Sequence, residues 1–332
     1  MADQTPALGP IGDLDPYAYL GLLRHSDGSI TRACDDPFTP ASADLSHPSP
    51  VLTKDVPINR STNTWARIFL PREALEHSPP AKLPLLVYYH GGGFVICTAG
   101  STLFHGFLSM VAVETKSIIV SIDYRRAPEH RLPAAYDDSF EALHWIKTSG
   151  EEWLTRFADL SNCFLIGSSA GGNIVYFMGL RAATAVDHLG PLKIRGLILH
   201  HAYFGGEKRT ASEIRLADDK ILPLRLNDLF WELALPAGAD RDHEYSNPIA
   251  GGGSELLDEI RKLGWKVLVA GYDGDPLIDR QKELAKLMEE RTVKVVRCFG
   301  EGGYHAMEAF ELSKAKPFCD VLKEFISSSI AC

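Results

Sequence analysis

The stretch Cys163-Phe-Leu-Ile-Gly-Ser-Ser-Ala-Gly-Gly-Asn173 decides how the rest of the chain is read. Cys163 to Gly167 is a short apolar run of the kind that forms a buried strand, and Ala170 to Ala183 continues as a helical stretch. Between them, Gly167-Ser168-Ser169-Ala170-Gly171 fits Gly-x-Ser-x-Gly. A strand, a sharp turn and a helix in that order push the central serine out above the end of a sheet. Chain segments crowd at such a turn, so residues without bulk are needed around it. The following helix points its N-terminus at the same place, where its dipole favours negative charge. Ser169 is therefore the candidate nucleophile, and the amide of Ala170 is placed to donate to an oxyanion. The competing reading, a phosphate-binding turn, would require Gly-x-x-x-x-Gly-Lys-[Ser/Thr], which is absent.

Upstream, the apolar strand Leu85 to Tyr89 runs into His90-Gly91-Gly92-Gly93-Phe94. Glycines let a loop curl tightly and turn its amides toward a developing negative charge, so Gly91 and Gly92 are expected as the other two donors. Downstream, a base and an acid that orients it are required, with the acid preceding the base in this chain order. The histidines after Ser169 are His188, His200, His201, His243 and His305. His305 lies in a Gly-rich loop between the strand Val293 to Phe299 and a final helical stretch, the expected setting for the base. The segment Gly271 to Asp279, after the strand Lys266 to Ala270, supplies the acids Asp273, Asp275 and Asp279. Asp279 is expected to cap or face the next helix, which leaves Asp273 and Asp275. His200 and His201 lack a His-Glu-x-x-His context and read as pocket wall or structure, with no metal or cofactor expected.

Working outward, short apolar strands alternate with helices, a pattern that makes a mainly parallel sheet covered on both faces. Val51 to Val56 and Trp65 to Leu70 suggest an antiparallel pair near the start, and Leu14 to Leu23 a short helix. Ser117 to Asp123 and Gly196 to His200 are further strands. Ala134 to Thr148 and Ile278 to Glu290 are helical, and Ala309 to Ser327 is a helix that Pro317 could interrupt. The rhythm breaks over 207–247. One domain over 1–332 is expected, with 207–247 as an insertion above the sheet that forms part of a cap.

A net charge of −9 argues against nonspecific binding to nucleic acid or to an anionic membrane surface. No run of about 18 apolar residues predicts a membrane span. The N-terminal residues lack the basic and apolar regions of a secretory leader. The six cysteines form no Cys-x-x-Cys pair. A cytoplasmic protein with reduced thiols is expected, the nucleus being a second open compartment.

Six segments together resemble one family. They are Ser49-Pro-Val-Leu-Thr-Lys-Asp55, Tyr88-Tyr-His-Gly-Gly-Gly-Phe94, Asp123 to Asp138, Gly167-Ser-Ser-Ala-Gly-Gly-Asn173, Gly238-Ala-Asp-Arg-Asp-His243 and Gly274-Asp-Pro-Leu-Ile-Asp279. The chain resembles the plant carboxylesterases of the hormone-sensitive-lipase group of α/β-hydrolases. The resemblance implies Asp275 as the acid of a Ser169–His305–Asp275 triad, a cap made from about 1–45 together with 207–247, and hydrolysis of acetyl or other short acyl esters. It also implies that Asp123 to Asp138 is support beside the catalytic loops. Two positions depart from the family pattern: Ser168 stands where an acidic residue usually precedes the nucleophile, and Arg125-Arg126 where an arginine-leucine pair is usual. The related gibberellin receptors replace the base histidine, which this chain keeps. The related 2-hydroxyisoflavanone dehydratases retain the triad, so a dehydratase or cyclase is the alternative activity, and a non-catalytic small-molecule receptor the third. Phe94, Val95, Tyr203, Phe204 and Trp231 are the candidate pocket residues around a small-molecule ester.

Overall fold

Along the strand Leu83–Tyr89, Leu85, Val87 and Tyr89 join one apolar cluster while Leu86 and Tyr88 join another, and all five are buried. The same division repeats at Cys163 and Leu165 against Phe164 and Ile166, and at Val267 and Val269 against Leu268. A period of two sends alternate side chains to opposite faces of a sheet, so both faces need a cover of helices. The computed structural model describes residues 15–33, 36–76, 82–250 and 253–330. Its strands are β1 Leu22–Arg24, β2 Ile30–Arg32, β3 Val51–Asn59, β4 Thr64–Pro71, β5 Leu83–Tyr89, β6 Ile118–Asp123, β7 Ala158–Ser168, β8 Ile194–His200, β9 Lys266–Gly274 and β10 Lys294–Tyr304.

The first two form a separate antiparallel hairpin, and the other eight one sheet in the order β10-β9-β8-β7-β5-β6-β4-β3. Only the β3–β4 and β4–β6 pairs in it are antiparallel. Helices Thr102–Thr115 and Lys316–Ile330 pack on one face, through Phe107, Leu108, Phe318 and Leu322. Helices Ala134–Thr148, Ala170–Thr184 and Ile278–Glu290 cover the other, through Leu143, Ile174 and Leu284. This is the α/β-hydrolase arrangement, and it gathers the C-terminal ends of the six parallel strands β6, β5, β7, β8, β9 and β10 along one edge, where loops carry function.

Several elements differ from the sequence expectation. The helix Thr102–Thr115 went unread, although Phe104, Phe107, Leu108, Val111 and Ala112 repeat at helical spacing and are buried. The last helical stretch breaks before Pro317, not at it: a turn at Met307–Phe310 ends, and Lys316–Ile330 begins with the proline in its first turn, where a missing N–H costs nothing. Of Leu14 to Leu23, only Pro16–Tyr19 is helical; Gly21 at φ 64° turns the chain into β1, and Leu14 lies outside the described residues. The strands after Ser169 run longer than their apolar cores.

Between β8 and β9 lie helices Ala211–Arg215 and Leu224–Ala234. Arg131 donates to the carbonyls of Glu232 (2.6 Å) and Leu235 (2.7 Å), and the Leu132 amide to Ala234 (2.8 Å), which ties the second helix to the segment after β6. Within that segment Arg125 grips the buried Asp138 at 2.7 Å. The Asp123 carboxylate accepts from the Ala99 amide at 3.0 Å.

Candidate active site

Ser169 sits at φ 56° and ψ −119°, between the end of β7 and a helix that begins at Ala170. A non-glycine residue there is strained, and the surroundings must hold it. They do so through the backbone: its amide donates to the His200 carbonyl at 2.9 Å, and its carbonyl accepts from Gly172 (2.9 Å) and Tyr203 (3.0 Å). The close approach also dictates Gly171, where a Cβ would lie 1.8 Å from the Tyr89 carbonyl oxygen.

His305 follows β10 and Asp275 follows β9, so both reach Ser169 from neighbouring strand ends. His305 Nε2 lies 2.9 Å from Ser169 Oγ, and His305 Nδ1 lies 2.9 Å from Asp275 Oδ2. All three residues are buried, with Ser169 retaining 7% exposure. Asp275 Oδ1 accepts from the Leu277 amide at 2.9 Å, and Oδ2 also from Gln281 Nε2 at 3.0 Å. Burial alone would raise the Asp275 pKa, but the imidazoles of His305 and His201 outweigh it and hold the carboxyl well below the usual range. The other acids point elsewhere. Asp273 accepts from the Gly302 amide (2.9 Å), and Asp279 from Ser212 (2.8 Å) rather than from its own helix.

A second layer stands behind these three. His201 Nδ1 lies 3.0 Å from Asp275 Oδ2, and its Nε2 lies 3.0 Å from Glu308 Oε2. Burial pulls the His201 pKa down, yet the two carboxylates raise it to about 9. Glu308 is held well below its usual range, His200 and His201 overcoming the opposing effect of burial. His200 Nδ1 meets Ser168 Oγ at 2.9 Å, while its Nε2 comes within 3.2 Å of Glu308 Oε2, outside hydrogen-bond geometry. Burial lowers the His200 pKa. The ring stacks against both Phe107 and Phe318, with centroids 5.7 and 4.1 Å away. Ser168, the departure beside Ser169, is thus partnered by a histidine. His200 and His201 are structural in placement and do not line the pocket.

The loop after β5 closes over Ser169. Gly91 approaches so closely that a Cβ would sit 3.1 Å from Ser169 Cβ. Gly92 has φ +106°, and a Cβ there would meet the Ile96 carbonyl oxygen at 2.2 Å. His90 buttresses the loop: its Nδ1 contacts the Gly91 carbonyl at 2.8 Å, its ring stacks on Tyr124 at 4.2 Å, and burial lowers its pKa to about 3.

Ser169, His305, Gly91 and Gly92 open onto a largely apolar cavity. Its walls include Tyr19 and Leu20 from the N-terminal segment, Leu222, Leu226 and Phe230 from the segment between β8 and β9, and Phe104. Of the five candidate pocket residues only Tyr203 lines it; Phe94, Val95, Phe204 and Trp231 do not. Trp231 stacks on Tyr203 at 4.5 Å and lies 5.9 Å from Phe94, and Phe204 packs edge-on against Tyr176, so these rings form core. The helix Leu224–Ala234 turns Leu226 and Phe230 to the cavity instead, a rotation that one aromatic residue in a sequence does not reveal. His200, His201 and Glu308, and likewise His201, Asp275 and His305, bring ligand-type atoms within 4.8 Å of one another. The nitrogen–carboxylate contacts in both groups, 2.9–3.2 Å, are accounted for by charge-assisted hydrogen bonds and ion pairing.

A serine hydroxyl bonded to an imidazole, with a buried carboxylate on the far nitrogen and an apolar cleft in front, is an arrangement suited to a hydrolase. The comparisons agree with this class. A model of the α/β hydrolase fold matches residues 86–309. Carboxylesterase 20 of Arabidopsis thaliana is 51% identical over 95% of this chain and 97% of its own length. A 3-O-acetylpapaveroxine carboxylesterase of Papaver somniferum is 41% identical over 94% of this chain and 99% of its own. The solved esterase of Pyrobaculum calidifontis superposes with a TM-score of 0.69 at 26% identity, covering 84% of this chain and 86% of the other. The chain belongs to the α/β-hydrolase family and, within it, to the plant carboxylesterases of the hormone-sensitive-lipase group, hydrolases of carboxylic esters.

Proposed function

We propose that this protein hydrolyses short-chain acyl esters through an acyl-Ser169 intermediate. The observation that carries the reading is the continuous contact from Ser169 Oγ through His305 to Asp275, at 2.9 Å in each step. His305 takes the Ser169 proton as Oγ attacks the ester carbonyl, then delivers it to the leaving alcohol. Water, deprotonated by the same imidazole, releases the acid. Asp275 holds the ring with Nδ1–H turned inward and stabilises the imidazolium. The amides of Gly91, Gly92 and Ala170 receive the oxyanion, beside a helix N-terminus of the right polarity.

Phe230, which lines the cavity and packs against Gly93, is the side chain we assign to limiting acyl length. The poppy relative, named for an acetyl ester, supports the same size class. The N-terminal segment and residues 207–247 act as a cap, since both contribute cavity wall; residues 1–14 and 34–35 of that segment lie outside the described residues.

A panel of p-nitrophenyl acetate, butyrate and octanoate tests the substrate class. kcat/KM is expected to be highest for the shorter two and to fall steeply at octanoate, with Phe230→Ala relieving the fall. Preference for octanoate would refute the size argument, and turnover of a hydroxyflavanone without ester hydrolysis would establish the dehydratase alternative. The donor loop has its own test. Gly92→Ala should lower kcat about 100- to 1000-fold with KM little changed, the loss typical of a displaced oxyanion donor, and an unaltered kcat would remove the Gly92 amide from the mechanism.

A further inference from the structure

Asp275 orients more than one imidazole. Its Oδ2 receives His305 Nδ1 at 2.9 Å from one side and His201 Nδ1 at 3.0 Å from another. The far nitrogen of His201 reaches a second buried carboxylate, Glu308, at 3.0 Å. A neutral imidazole has one N–H and can donate to only one of two carboxylates. Both contacts are satisfied together when His201 carries two protons, the charges of Asp275, His201 and Glu308 then summing to −1, as for a lone triad carboxylate. We propose that His201 is a positioning residue acting through Asp275: a buried imidazolium, held by Glu308, that draws charge from the Asp275 carboxylate and so moderates its hold on the proton of His305.

The surroundings are consistent with a fixed charge at this place. The His200 and His305 rings pack roughly perpendicular to the His201 ring, with centroids 4.4 and 5.5 Å away, and Tyr272 lies at 5.6 Å. The Tyr272 phenol and the Cys298 thiol both have raised pKa values, burial first and Glu308 second, so neither competes as an anion. Burial keeps the His200 pKa low, so a second adjacent imidazolium is disfavoured. Gln281 Nε2, also on Asp275, is neutral. His201 is thus the one positive group among the described residues in direct contact with Asp275 when His305 is neutral.

The consequence is a direction. A cation beside Asp275 offsets part of the carboxylate's charge, so removing it strengthens the field the carboxylate applies across the triad. His201 has φ 49°, a left-handed conformation that asparagine tolerates, and an asparagine amide can take the place of Nδ1–H against Asp275. His201→Asn therefore keeps a neutral donor and removes the charge. The acid limb of kcat/KM for p-nitrophenyl acetate is expected to move up by roughly one pH unit. At a pH below that limb the loss is then about tenfold, while KM changes little. A merely structural role would lower the melting temperature and scale activity equally at every pH. An acid limb that stays in place or moves down overturns the proposal.

The proposal rests on the esterase reading only for this kinetic arm. In the wild-type protein, ring-labelled with nitrogen-15, both His201 nitrogens should be protonated at pH 8, the signals being assigned by their loss in His201→Asn. One unprotonated His201 nitrogen at that pH would mean that a neutral ring accepts from a protonated Glu308, and the proposal fails even if ester hydrolysis is secure. Conversely, a wild-type protein without esterase activity would remove the esterase reading and leave the charge of His201 to be decided by the spectrum.

Discussion

Ser169→Ala is expected to lower kcat for short esters by on the order of 10⁶-fold, while KM and the melting temperature stay close to wild type. The size follows from the chemistry: without Oγ no acyl-enzyme forms, and hydrolysis falls back on water attacking a carbonyl polarised by the loop amides. The small structural cost follows from the contacts. The strained φ of 56° is held by backbone bonds to His200, Gly172 and Tyr203, which an alanine retains, and the side chain contributes only the bond to His305. Measuring kcat by release of p-nitrophenol, with a thermal melt on the same sample, checks both halves. A variant that keeps most of its activity would show that the covalent route is not used.

Asp275→Asn is the second large effect, a fall in kcat of about 10⁴-fold. An amide in this position can present N–H to His305 Nδ1, which selects the tautomer with its proton on Nε2, facing Ser169, and the base is lost. Unlike Ser169→Ala, this change is expected to destabilise the fold. Asp275 accepts four hydrogen bonds, from His305, His201, Gln281 and the Leu277 amide, and is fully buried. An amide has one acceptor oxygen, so donors are left unpaired at a cost of about 1–3 kcal/mol each. Loss of activity with an unchanged melt would contradict the crowded environment assigned to this carboxylate.

Local motifs carried the legible part of the site. Ser169 and Gly91-Gly92 announce themselves because a tight turn and a close backbone approach restrict which residues fit, and a strand before each fixes where the turn lies. The base emerged from chain order and a Gly-rich loop. For the acid, three aspartates within seven residues look alike in the sequence, and the structure separates them by partner: Asp273 on Gly302, Asp279 on Ser212, Asp275 on His305. The pocket was not legible in the same way. Phe94, Phe204 and Trp231 are apolar enough for either a core or a cavity wall, and only the rotation of the Leu224–Ala234 helix decides between them. Glu308 was missed altogether. An acidic residue three positions after His305 looks like an exposed helix residue, and its burial beside His200 and His201 depends on strands distant in sequence.

The proposed chemistry requires that His305 activate the hydroxyl of Ser169 for attack on an acyl carbon. A dialkyl p-nitrophenyl phosphate reports this directly, because it phosphorylates an activated serine and stays attached. Intact-mass measurement after incubation should show one dialkylphosphoryl group per chain, mapped by peptide sequencing to Ser169, with equal loss of esterase activity and no label on Ser169→Ala. A wild-type chain that remains unmodified while it hydrolyses esters, or a label that settles elsewhere and still abolishes activity, would contradict it.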